Sequence, residues 1–69
     1  LTDSIIDLGA EIYANLYRQG QLIDDADILI AATALVHDYR LVTDNVRHFA
    51  RIPNLVVENW STPTVHPAL

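Results

Sequence analysis

The sequence predicts an α/β fold built around a parallel sheet. Two helical stretches precede two short β-prone runs that enclose a third helix, and strands alternating with helices pair in parallel. The second helix is apolar on almost every side, as in a helix covered by other elements. The chain has 69 residues, 51% of them hydrophobic, which is core-forming material for one small domain.

The first helix is expected over residues 3–19. Ile5, Leu8, Ile12 and Leu16 recur at helical spacing, and Ile6, Tyr13 and Tyr17 widen the stripe. Thr2 or Asp3 can cap its start, and Gly20 stops it. Gly9 lies mid-helix at a cost of ~1 kcal/mol against Ala, which suits close packing against a neighbour. Residues 21–24 form a loop. The second helix is expected over 25–39, with Asp24 or Asp25 as N-cap and acids in its first turn suiting the helix dipole. From Ile28 to Val36 only Thr33 is polar, so nearly every face should be buried.

Residues 40–43 form a β run. Asp44 or Asn45 caps a short helix over 46–51, Pro53-Asn54 makes a turn, and residues 55–58 form a second β run. Residues 1–60 thus form one unit, in the order helix–helix–strand–helix–strand. Residues 61–69, with Pro63 and Pro67, read as a loose tail. Two parallel strands do not make a stable sheet by themselves. Together with the wholly apolar second helix, this marks the unit as the second half of an α/β domain, incomplete alone. Dimerisation or strand exchange is the alternative route to a stable fold.

Composition excludes several classes. There is no Cys, hence no disulfide and no thiolate zinc site, which is compatible with a reducing cytoplasm. No apolar run approaches the ~20 residues that cross a bilayer. Asp3 and Asp7 stand where a signal peptide would be basic. Nine acids against four Arg give a net charge of −5. Such a chain is a poor non-specific nucleic-acid binder, and acting on nucleic acid would need positive charge from a metal or a partner.

Two constellations can carry chemistry. Asp24, Asp25 and Asp27 cluster at the head of the second helix, and carboxylates are ligands for Mg²⁺ or Mn²⁺. Asp27 fits capping least, because it lies just before the apolar stretch and a buried charge needs a partner. Thr43-Asp44-Asn45 closes the first strand, and open α/β sheets bind ligands at the carboxyl ends of strands. Asp44 or Asn45 can offer oxygen to the same ion as Asp27. For each cluster alone, ordinary helix capping is the better reading. His37, His48 and His66 lack the spacing of a metal site. His37 reads as a helix-end cation and His48, beside Phe49, as a packing or substrate residue, packing being the better reading. Arg40, Arg47 and Arg51 read as a solvated face or ion-pair partners rather than phosphate ligands.

In combination these stretches say more. DADILIAATAL, then LVTDN, then HFARIPNLVVENW resembles the C-terminal half of a PIN domain, in particular the toxins of VapBC-type toxin–antitoxin operons. The resemblance runs through residues 20–60 without a gap, and the preceding helix also fits. It implies a parallel sheet between helices and a Mg²⁺- or Mn²⁺-dependent endoribonuclease whose site gathers three or four acids. Two of those acids belong to a part of the domain outside this sequence. The third matches Asp27. The fourth matches Asn45, eighteen residues on, where many members have Asp. Asp44 is placed to assist through water, and Thr43 matches a Thr that orients the site. Pro53-Asn54 stands where Pro-Gly is usual.

The resemblance further implies an RNA substrate, a cognate antitoxin, a homodimer, a cytoplasmic location and no membrane. The 69 residues alone should show little or no activity, since Asp27 and Asn45 cannot complete a site. The competing reading is a PIN-like interaction module that binds an antitoxin or itself without chemistry. An unrelated α/β piece, such as a receiver-type domain, leaves the spacing of Asp27 and Asn45 unexplained.

Overall fold

The computed structural model describes residues 1–60 and, as backbone, the strand at 65–67. Helix α1 runs Asp3–Arg18. Thr2 caps it, its hydroxyl accepting the Ile5 N–H at 3.3 Å, and Asp3 and Arg18 sit at the ends that the helix dipole favours for their charges. Ile5, Gly9, Ile12 and Leu16 form its buried stripe. Gly20 ends the helix in the left-handed region at φ 67°. The Gly20 N–H reaches the Tyr17 carbonyl at 3.1 Å and the Gln21 N–H the Leu16 carbonyl at 2.9 Å, a Schellman closure.

Helix α2 runs Asp25–Val36, three residues shorter than the sequence suggests. The reason is local. Asp38 adopts φ 57°, so the chain leaves the helix through a second Schellman closure, with the Tyr39 N–H on the Ala34 carbonyl at 2.7 Å and the Asp38 N–H on the Leu35 carbonyl at 3.3 Å. Aspartate is one of the few residues that visits this region without glycine's freedom. Helix α2 packs on α1, with Ile28 and Leu29 beside Gly9.

Strand β1 (Leu41–Val42) pairs in parallel with β2 (Val56–Glu58), Leu41 opposite Val57 and Val42 opposite Glu58. The Thr43 N–H extends this ladder onto the Glu58 carbonyl at 2.9 Å. The crossover between them contains the single-turn helix α3 (Val46–Phe49) and a turn with Asn54 at φ 69°. A third strand, β3 (Val65–Pro67), lies antiparallel to β2, which makes β2 the central strand. This strand falls within the stretch expected to be a loose tail. Pro67 has no N–H to give and is tolerated on such an edge. The rest of that tail, 61–64 and 68–69, lies outside the described residues.

The core joins α1 and α2 to the sheet through Leu16, Ile28, Ala31, Ala32, Phe49, Ile52, Leu55 and Val57, all buried. Arg40 pairs with Glu58 at 3.6 Å, and the Arg51 guanidinium donates to the Gln21 carbonyl at 3.2 Å, so both arginines serve the fold.

Helix α2 departs from expectation in one respect. Ile28, Ala31, Ala32 and Ala34 are buried, but Leu29, Ile30 and Val36 are exposed, Ile30 to 46%. The elements of this chain cover only part of an all-apolar helix, and Ile6 and Tyr13 of α1 are likewise exposed. No helix among the described residues is long and apolar enough to cross a membrane.

Candidate functional site

The head of α2 presents three carboxylates in one turn. Asp24 is the N-cap by backbone geometry (φ −60°, ψ 145°), and its carbonyl accepts the Ile28 N–H at 3.0 Å. Its side chain makes no capping hydrogen bond. Asp24 and Asp25 are exposed, whereas Asp27 is half-buried. All three gain from the positive end of the helix dipole. Asp27 is the one drawn back toward the protein, as its place before the apolar stretch suggests.

The carboxyl end of β1 supplies the second group. Thr43 holds the sheet through its backbone N–H, while its hydroxyl accepts the Asn45 N–H at 3.0 Å. This small hydroxyl-closed turn sets the backbone of Asn45 as the chain enters α3. Asn45 is the N-cap of α3 but, contrary to expectation, does not cap it with its side chain. Its Nδ2–H instead donates to His48 Nδ1 at 2.8 Å. His48 is therefore more than the packing residue its neighbour Phe49 suggests. The legible signal was the spacing, since residues three apart share a helix face. Asp44, between Thr43 and Asn45, is exposed.

After α2 the chain turns through His37–Arg40, and Leu41 at the start of β1 lines a shallow groove together with Leu29, Ile30, Thr33 and Ala34 of α2. Asp27 heads α2, and Asn45 follows the carboxyl end of β1, the end of a strand at which open α/β sheets carry ligands. Among the described residues, no three acidic or histidine side chains form a group able to hold a metal ion.

The donor chemistry suits a hard divalent ion as far as it goes. Asp27 offers a carboxylate. Asn45, whose amide nitrogen lies 2.8 Å from His48 Nδ1, has Oδ1 to offer. Both are oxygen ligands of the type that Mg²⁺ and Mn²⁺ take, and two are too few to hold either ion without further carboxylates or substrate oxygens.

Comparison with curated proteins places the sequence. Ribonuclease VapC2 of Rickettsia felis is 44% identical over 50 residues, covering 72% of this chain and 37% of that protein. Ribonuclease VapC1 of Methanocaldococcus jannaschii is 44% identical over 52 residues, covering 75% and 38%. Ribonuclease VapC19 of Mycobacterium tuberculosis is 48% identical over 56 residues, covering 80% and 44%. The chain belongs to the VapC-like PIN-domain family. This VapC-like chain spans about two fifths of the length of the curated relatives it matches. Neither a family model nor a solved structure matches it.

Proposed function

We propose that the complete VapC-like protein is a metal-dependent endoribonuclease, the toxin of a toxin–antitoxin pair, and that this chain supplies one part of its active site. The observations that support the reading are a half-buried carboxylate, Asp27, at the head of α2, and an amide, Asn45, held by Thr43 and His48 just after β1. The names of the matched relatives support the reaction class.

In this reading Asp27 is a direct or water-mediated ligand of Mg²⁺ or Mn²⁺, Asn45 a second ligand through Oδ1, and Asp44 a contributor through water. A bound divalent ion supplies charge neutralisation at the phosphodiester and an acidified water for its hydrolysis. The chain's own residues do the positioning. The half-buried setting of Asp27 limits the orientations of its carboxylate, and Thr43 and His48 hold Asn45 from the backbone and side-chain sides. A chain of net charge −5 repels RNA without such an ion. Two protein oxygens do not complete a site, so the 69 residues alone are inactive and the remaining carboxylates come from other parts of the protein. A cognate antitoxin, a second copy of the toxin and a cytoplasmic location belong to the same reading.

The test is Asp27→Asn in the complete protein. With folding intact, RNA cleavage in Mg²⁺ should fall by at least about 100-fold, in keeping with the loss of a metal-directing group. Undiminished cleavage removes the mechanism.

A second reading, a non-catalytic interaction module, draws on the bare apolar surface of α2 and on the amide at position 45. It predicts that the complete protein binds an antitoxin or itself while leaving RNA intact.

A further inference from the structure

We infer that the groove between α1 and α2 is a docking site for a basic segment of a partner protein, which seats an apolar side chain over Gly9 and places a Lys or Arg beside Asp25. This assignment rests on the toxin–antitoxin part of the reading above, which supplies a protein partner, and on no metal ligand.

The two helices leave a groove of about 380 Å³ between them. Ile6 and Tyr13 line it from α1 and Leu29 from α2, and all three are exposed, Ile6 to 50%. Tyr13 is braced by Tyr17, whose ring stacks on it with centroids 6.3 Å apart and 17° between the planes. This part of the wall is in place before anything docks, which spares a ligand the entropy of ordering it.

Glycine in the middle of a helix is unfavourable, and the packing of α1 on α2 does not account for Gly9. A Cβ there would meet Leu29 Cδ2 at 3.7 Å and Ile28 Cγ2 at 3.9 Å, ordinary contact distances. The contact between the helices thus has room for alanine. What a methyl group would take is space in the groove, since Gly9, Ile28 and Leu29 all line it. Stability given up to keep a surface cleft open is a mark of function.

Charge decides which partner fits. Asp25 is the only charged residue that lines the groove. It is exposed and joins no ion pair among the described residues. The cations lie elsewhere: Arg40 pairs with Glu58, and Arg51 reaches the Gln21 carbonyl. With a net charge of −5, the chain repels RNA and anionic lipid, and a second copy brings the same charge to the rim. An apolar side chain flanked by Lys or Arg complements both the walls and the rim.

The probe is a fluorescently labelled helical peptide with a stripe of Leu on one face and Arg beside it. It is titrated into the complete protein and followed by anisotropy, next to a peptide with Glu in place of Arg. The Arg peptide should bind and the Glu peptide should not. Gly9→Ala should weaken the Arg peptide by roughly 5-fold or more, as overfilling a packed contact does, while the melting temperature does not fall. Asp25→Asn should weaken it by roughly 2- to 5-fold, as for an exposed ion pair. Asp7→Asn removes the same charge outside the groove and should leave binding unchanged. Asp25→Arg should turn the preference toward the Glu peptide.

Equal affinity in the parent and Gly9→Ala, or equal effects of Asp25→Asn and Asp7→Asn, overturns the docking site. So does a complete protein that binds neither peptide. In that case a Leu29→Cys thiol shielded from a thiol reagent assigns the groove to the protein's own remaining chain, and a dimer in light scattering that Gly9→Ala dissociates assigns it to a second copy. RNA cleavage by the same proteins separates this failure from that of the wider reading. Cleavage present with peptide binding indifferent to the groove variants overturns the docking site alone. Cleavage absent from the parent, with the groove variants behaving as expected, overturns the ribonuclease and leaves the docking site standing.

Discussion

Replacing Gly9 by Ala should make this protein more stable, although Gly9 is buried where two helices meet. The position lies in the middle of α1, where glycine costs ~1 kcal/mol against alanine through backbone entropy. Close packing is the usual reason to accept that cost. A Cβ built on Gly9 would lie 3.7 Å from Leu29 Cδ2 and 3.9 Å from Ile28 Cγ2, which is ordinary van der Waals contact. The methyl group therefore fits without displacing α2 and gains apolar contact of up to about 0.8 kcal/mol. The sum is about 1–2 kcal/mol of added stability. For a domain of this size each kcal/mol moves the melting temperature by roughly 4–8 °C, so an increase of about 4–16 °C is expected in far-ultraviolet circular dichroism. Gly20→Ala is the matched control. No atom lies within 4 Å of its added Cβ, yet φ is +67°, so this variant should lose about 1 kcal/mol from backbone strain alone. A fall in melting temperature for Gly9→Ala, or a rise for Gly20→Ala, would refute the reasoning, since it would mean that space rather than backbone conformation sets the sign at these two glycines.

Leu16→Ala should cost about 2–5 kcal/mol, because Leu16 is only 2% exposed at the meeting of α1 with the rest of the core; denaturant unfolding would then lose its cooperative transition. Asp38→Gly should stabilise by up to about 1 kcal/mol, as it relieves a left-handed non-glycine residue and removes an anion from the carboxyl end of α2. A lower urea midpoint would contradict this. Ile30→Glu should leave the stability of the 69-residue chain within about 0.5 kcal/mol of the parent, because Ile30 is 46% exposed. In the complete protein the same change should destabilise the fold or its assembly, as light scattering and thermal unfolding would show. An equal response in both settings would mean that nothing covers this face of α2.

Particular residues show how far the fold and the site could be read in advance. The stripe of Ile5, Ile12 and Leu16 announced α1, and Thr2 and Gly20 marked its ends, because capping and the left-handed stop are local events. The end of α2 was less legible: His37-Asp38-Tyr39 contains no glycine, and helical spacing continues through it. Only the conformation of Asp38 shows that the helix has closed at Val36. Strand β3 was invisible for a related reason. Val65–Pro67 sits among prolines and becomes a strand only because the edge of β2 is there to pair with it. Asp27 and Asn45 were legible as candidates by spacing and by resemblance. The link from Asn45 to His48 was not, since a histidine beside a phenylalanine fits core packing equally well.

The sequence by itself determined the order of the elements as far as β2, the absence of cysteine chemistry, the family likeness and the two candidate residues, all of which follow from short-range patterns and residue type. Tertiary structure decided which faces of α2 are covered, that a third strand pairs with β2, and what the side chain of Asn45 holds. Those outcomes depend on where distant segments meet: burial and hydrogen-bond choice are properties of the neighbours in space, and a residue's neighbours in space are set only when the chain has folded.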